Sequence, residues 1–187
     1  MKVLIIDNFD SFTYNLYHYV REFVEDCIVV RSSKISEVNI ENYDKIILSP
    51  GPSLPSDHPV IFDVLNRFSK TKSILGICLG HQAILEFFDG KLENLQDVKH
   101  GVSSENQIIE DDSIFQGISK EFQIAHYHSW VAEKDSLPNC LCITSENKDG
   151  LIMSVSHKKY DVKGIQFHPE SVLTENGKLI IKNWLFS

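Results

Sequence analysis

Ile74-Leu75-Gly76-Ile77-Cys78-Leu79-Gly80-His81-Gln82 opens as an apolar run and turns polar just past Cys78. Residues 74–78 suit a central parallel strand covered on both faces. Residues 80–88 suit a helix that ends before Gly90. Between them stands the form G-x-nucleophile-x-G, which belongs at a sharp strand-to-helix turn that projects its central side chain. Working outward, residues 3–7 (VLIID), 27–31 (CIVVR) and 45–49 (KIILS) are further short apolar strands. Leu16, Tyr19, Val20 and Phe23 recur at helical spacing after the first of them, with Ser11 or Thr13 available as the cap. Pro50-Gly51-Pro52-Ser53-Leu54-Pro55 continues no regular element, and residues 60–69 are helical.

This β-α-β-loop-α-β-α rhythm indicates an α/β fold, an open and mostly parallel sheet with flanking helices. The second half reads differently. Residues 107–109, 122–127, 141–145, 151–156 and 162–167 are strand-like with little helix between them, so additional antiparallel strands are expected in the C-terminal half. Residues 177–186 close the chain as a helix. No repeat or linker interrupts residues 1–187, which are expected to form a single domain.

Composition narrows the function classes. The net charge of −8 argues against a general affinity for nucleic acid or anionic membranes. The N-terminal stretch has Asp7 close behind a short apolar run and does not read as a secretory signal. No apolar run approaches the roughly 20 residues of a membrane span. The four cysteines, Cys27, Cys78, Cys140 and Cys142, have no zinc-like or CxxC spacing, which suits reduced thiols in a cytoplasmic protein.

Free cysteine is most often a small buried hydrophobe. At Cys78 the glycine-flanked strand–helix context outweighs that reading. A helix N-terminus favours negative charge on the sulfur, and the Leu79 N–H is left free to bind an oxyanion. Cys27, Cys140 and Cys142 have no such setting and are assigned to the core. A base and its orienting acid are supplied by His168-Pro169-Glu170, which follows the strand-like residues 164–167. Residues two apart in an extended segment face one way, so Glu170 can fix the imidazole of His168. Taken alone, this pair would read as a loop histidine beside a solvated acid; Cys78 gives it a purpose. In Ser49-Pro50-Gly51-Pro52 only Gly51 offers an N–H between the two prolines, which suits the second oxyanion donor beside Leu79. His126-x-His128 could pair two metal ligands, but no third is evident, so neither metal nor cofactor is expected. Glu110-Asp111-Asp112 reads as a solvated turn.

An α/β-hydrolase runs nucleophile, acid, histidine; here the order is Cys78, His168, Glu170. That order, with Gly76-Ile77-Cys78-Leu79-Gly80-His81-Gln82 and Gln166-Phe167-His168-Pro169-Glu170-Ser171, resembles the class I, or triad, glutamine amidotransferases. Asp7-Asn8-Phe9-Asp10-Ser11-Phe12-Thr13-Tyr14-Asn15 and Leu48-Ser49-Pro50-Gly51-Pro52 are similar to the glutaminase subunits (component II) of anthranilate synthase and aminodeoxychorismate (para-aminobenzoate) synthase. The resemblance implies a glutamine-binding contact at Gln82. It also implies that the backbone of Ser129 and Trp130, in Tyr127-His128-Ser129-Trp130, receives the substrate's α-amino and carboxylate end. It implies hydrolysis of glutamine through a cysteinyl thioester, with ammonia passing to a separate chorismate-aminating synthase subunit (component I). Three departures stand out: Trp130 replaces the usual Leu, Val102 the usual Lys after His100-Gly101, and Ser53 the last Gly of P-G-P-G. Another amidotransferase complex and a cysteine hydrolase acting on other amides remain as alternatives.

Overall fold

In the computed structural model the backbone is described for residues 1–187 and the side chains for all but residues 97–99. Its strands are β1 (Lys2–Asp7), β2 (Asp26–Arg31), β3 (Lys45–Leu48), β4 (Ser73–Ile77), β5 (Leu92–Ile108), β6 (Glu121–Ala132), β7 (Leu141–Asn147), β8 (Ile152–His157) and β9 (Val162–Ile165). The helices are α1 (Thr13–Arg21), α2 (Pro59–Phe68), α3 (Leu79–Phe87) and α4 (Gly177–Phe186). The strands form one sheet in the order β2-β1-β3-β4-β9-β8-β7-β5-β6. Pairing is parallel from β2 through β9 and antiparallel from β8 onward. The open, mostly parallel sheet with flanking helices and added antiparallel strands is therefore present.

Strand periodicity separates two cores. On β1, Val3 and Ile5 face one side and pack with Leu16 and Val20 of α1 and Ile181 and Trp184 of α4. Leu4 and Ile6 face the other side, against Ile61 and Leu65 of α2 and Ile84 of α3. All four β1 residues are fully buried, each contributing about 1.5–3 kcal/mol over exposure. That two-sided burial is why the parallel strands read as unbroken apolar runs.

Some expectations require correction. Neither Ser11 nor Thr13 caps α1: its N-cap is Phe12 with no side-chain cap bond, and Thr13 Oγ1 instead donates to Asp7 at 3.0 Å. Only the end of β5 was anticipated, at residues 107–109; the strand begins at Leu92. The Pro-rich loop is followed at once by a short 3₁₀ turn, Pro55–Asp57. Asp112 is not solvated, for its buried carboxylate pairs with Lys163 Nζ at 2.8 Å and accepts a short bond from Ser156 Oγ. The cysteines are free thiols. Cys27 is buried, and burial pushes its thiol up to about 12, whereas Cys140 and Cys142 are only half-buried. No helix of the described residues is long and apolar enough to cross a membrane.

Candidate active site

Four adjacent parallel strands, β1-β3-β4-β9, deliver their carboxyl ends to one rim of the sheet. Open α/β sheets place their sites there. The loop after β1 supplies Phe9–Phe12 and the loop after β3 supplies Pro50, Gly51 and Pro52 (residues 9–12 and 50–52); Cys78 follows β4 and His168 follows β9. Together with His100 and Tyr127 these residues line a cleft of about 360 Å³.

Cys78 sits at φ 51°, ψ −99°, a backbone conformation that costs a non-glycine residue about 1–3 kcal/mol and persists only when its surroundings impose it. They do so here. Its N–H donates to Ile165 O at 2.9 Å and its carbonyl accepts from Gln82 N at 3.0 Å. A Cβ on Gly76 would lie 2.4 Å from Gly80 O, and one on Gly80 would lie 2.3 Å from Leu48 O. Both glycines are needed for the elbow to fold back against β3. Leu79 opens α3, so its N–H has no intrahelical acceptor.

The Gly51 loop is clamped from β1. Asn8 N donates to Ser49 Oγ at 2.9 Å, and Asn8 Nδ2 to Ser49 O at 3.0 Å. A Cβ at Gly51 would lie 2.5 Å from Leu79 Cδ2 and 2.7 Å from Asn8 O. The two expected oxyanion donors are thus packed against each other. Ser53, where the resembling family has glycine, adopts the left-handed φ of 66°.

His168 Nδ1 and Glu170 Oε1 are 2.7 Å apart, both residues 2% exposed. The expected pairing is present, but not through strand alternation. β9 stops at Ile165, and residues 168–171 form a turn closed by Ser171 N donating to His168 O at 3.2 Å. Thr174 Oγ1 also donates to that carbonyl, at 2.6 Å, and accepts from Ala125 N at 3.0 Å, which ties the turn to β6. Burial alone would lower the His168 pKa. The Cys78 sulfur and then the Glu170 carboxylate outweigh it and hold the pKa well above the ordinary histidine value. With Nδ1–H directed at Glu170, Nε2 is the ring nitrogen left to meet the Cys78 sulfur. Rings of Phe12 and Tyr127 lie 5.9 and 5.0 Å from the imidazole, centroid to centroid, and exclude water from its flank. Phe12, Tyr127 and His100 were not singled out individually in the sequence; their partners are distant along the chain.

Gln82, on α3, meets β6, the strand that carries Ser129 and Trp130. Gln82 Nε2 donates to Trp130 O at 2.9 Å. The pairing of β6 with β5 passes from Asn94↔Trp130 to Lys99↔His128 through a register shift, so the ladder is irregular at Ser129. The possible metal pair resolves otherwise: His126 Nδ1 and His128 Nε2 are 2.9 Å apart, and His126 Nε2 lies 2.6 Å from Ser104 Oγ. Among the described residues no group of three potential ligands gathers. Burial lowers His81 and His128 to about 3, so both are neutral.

A cysteine sulfur lining the cleft, an imidazole held by a carboxylate, and the Gly51 loop packed against Leu79 at the start of α3 gather the kinds of group that acyl transfer from an amide requires. Comparison with known proteins agrees. The profile of the family described as glutamine amidotransferase class-I matches residues 4–187. The chain is 39% identical to aminodeoxychorismate synthase component 2 of Escherichia coli over 186 residues, 98% of each chain. It is 41% identical to anthranilate synthase component 2 of Pseudomonas aeruginosa over 190 residues, 98% of this chain and 94% of that one. A solved structure from Thermoplasma acidophilum, provisionally assigned as a GMP synthase subunit, superposes with a TM-score of 0.86 at 22% identity. That superposition covers 100% of this chain and 92% of the other.

Proposed function

The chain belongs to the class I glutamine amidotransferases, and on that premise we propose that it is the glutaminase subunit of a chorismate-aminating synthase. The observation that carries the reading is the Cys78–His168–Glu170 constellation in a chain matched along nearly its whole length by two such component 2 proteins. Residues 1–187 act as one amidotransferase domain, in the cytoplasm, with a separate component I as partner.

The geometry supports the following chemistry. His168 Nε2 takes the thiol proton, or the pair rests as thiolate and imidazolium, a state the raised His168 pKa supports. Cys78 Sγ attacks the side-chain amide carbon of glutamine while Ser129 and Trp130 backbone and Gln82 hold the substrate. Negative charge moves to the amide oxygen, where the Gly51 and Leu79 N–H groups receive it. His168 returns its proton to the nitrogen, the C–N bond breaks, and ammonia departs from a glutamyl thioester. Water, deprotonated by His168, hydrolyses the thioester to glutamate and restores the thiol. Ammonia then reaches the partner's chorismate site.

Glu170→Gln is expected to be milder than His168→Ala. Glu170 steadies the imidazolium, whereas His168 moves the protons, and loss of a general base costs about 10²–10⁴-fold. Single-turnover thioester formation should rank wild type, Glu170→Gln, His168→Ala; the reverse order in folded variants would mean the roles are misassigned.

The experiment for the reading as a whole mixes the chain with an anthranilate or an aminodeoxychorismate component I, glutamine and chorismate, and identifies the aromatic product. One of the two should be made. Glutaminase kinetics on the same mixtures should show the partner raising kcat more than it lowers KM, the pattern of improved transition-state stabilisation at the Gly51–Leu79 hole. No product with either partner, in a chain that nonetheless hydrolyses glutamine, would reject the chorismate assignment.

A further inference from the structure

The proposed chemistry leaves one buried polar group beside the nucleophile without a task. Gln166 is fully buried, and its Nε2 lies 3.6 Å from Cys78 Sγ. Its place is fixed by the sheet: Cys78 N donates to Ile165 O at 2.9 Å, and Gln166 N donates to Met153 O at 2.8 Å.

An amide side chain can present either its oxygen or its nitrogen to a neighbour, so the polarity of this contact has to be argued. A backbone carbonyl only accepts. The 2.9 Å contact to Trp130 O therefore requires Gln82 to turn its NH₂ that way. The same NH₂ lies 3.3 Å from Gln166 Oε1 and donates to it. With its oxygen so engaged, Gln166 has only its NH₂ left for Cys78. The direction of three contacts follows from one carbonyl.

We infer that Gln166 is a positioning residue for the nucleophile: its side-chain amide, oriented through Gln82 by the Trp130 carbonyl, donates to the Cys78 sulfur and holds it as an anion aimed into the cleft. The inference rests on Cys78 being the nucleophile. A fixed donor in a buried site stabilises an anion without reorganising, and favours the charged form of its partner. His168 on one side and Gln166 on the other then divide the work: the first exchanges the proton, the second fixes the sulfur once the proton has left.

The test uses the full chain with Gln166→Met, which keeps bulk but removes the donor, and Gln166→Glu, which keeps shape but replaces the NH₂ by oxygen. Alkylation of Cys78 by iodoacetamide, followed across pH by mass spectrometry of the Cys78 peptide, should shift its midpoint upward by about one unit in Gln166→Met and further in Gln166→Glu. Single-turnover thioester formation should fall roughly 10–100-fold, the range for losing a hydrogen bond to a charged group, with KM for glutamine within about threefold. A residue that merely packs would not move the pH midpoint. Wild-type midpoints and rates in both variants overturn the inference. Should neither variant fold, the assigned Gln166 side-chain amide resonance in labelled wild type is compared with that in Cys78→Ala: a clear shift supports the bond, and no shift overturns it. Glutaminase activity surviving in Cys78→Ala would instead reject the nucleophile assignment, so the two failures are separable.

Discussion

Cys78→Ala is expected to abolish glutamine-dependent amination of chorismate while leaving amination from added ammonium largely intact. Removing a nucleophile that acts as a unit with its base costs about 10⁶-fold in the best-studied hydrolases, so residual glutamine use should fall below detection. The variant should fold. Cys78 is 6% exposed, and alanine keeps the Cβ at the same strained φ of 51°, so the substitution removes one sulfur and adds no new backbone penalty. Its contacts to the β4–β9 ladder run through the backbone N–H and survive. The measurement is synthase activity of the assembled complex with glutamine or ammonium as nitrogen source. Substantial glutamine use by the variant would show that Cys78 is not the nucleophile. Equal loss of both activities, with assembly confirmed, would show that the two half-reactions are not carried by separate sites.

The parts of this molecule that were legible in the sequence are those whose causes are local. Residues 74–82 hold a buried strand, two glycines and a helix start within one window, and the fold and the candidate nucleophile come together there. β5 was legible only at its end because Leu92–Ile108 is rich in Asn, Ser, Glu and Gln, has no sustained alternation, and is largely solvent-exposed where described. Its strand character is imposed by pairing with β6, a tertiary cause. Asp112 looked solvated because the charge that stabilises it, Lys163, lies 51 residues away. The same reason hid Phe12 and Tyr127, which meet His168 only once the loops after β1 and β9 converge on β6. The His168–Glu170 pairing was anticipated, but for a reason the turn at residues 168–171 replaces. Gln166 was visible only as part of a motif; its 3.6 Å approach to Cys78 needs the parallel register of β4 and β9.

Gly51→Ala is expected to lower kcat for glutamine hydrolysis by about 10²–10³-fold, the cost of losing one oxyanion donor, with KM changed much less. The added Cβ would stand 2.5 Å from Leu79 Cδ2, 2.7 Å from Asn8 O and 2.8 Å from Asn8 Cβ. Leu79 can rotate a methyl away, but Asn8 O is backbone, and Asn8 is itself bonded to Ser49 on the same loop. The loop must therefore move, and prolines at 50 and 52 restrict it to a displacement of the whole segment rather than a local adjustment. That displacement carries the Gly51 N–H off target. The Leu79 side chain can yield without moving its own backbone N–H, so the loss expected is that of one donor. Ser53→Gly, on the same loop, separates this effect from a general loosening. It relieves a left-handed φ of 66°, a strain of about 1–2 kcal/mol, without touching either donor. It should raise the melting temperature of the chain and leave kcat near wild type. Steady-state glutaminase assays on the partnered complex and thermal melts of both variants decide the matter. Wild-type kcat in Gly51→Ala would remove Gly51 from the oxyanion hole. A matching loss in Ser53→Gly would mean that the stiffness of the loop, and not the placement of one N–H, sets the rate.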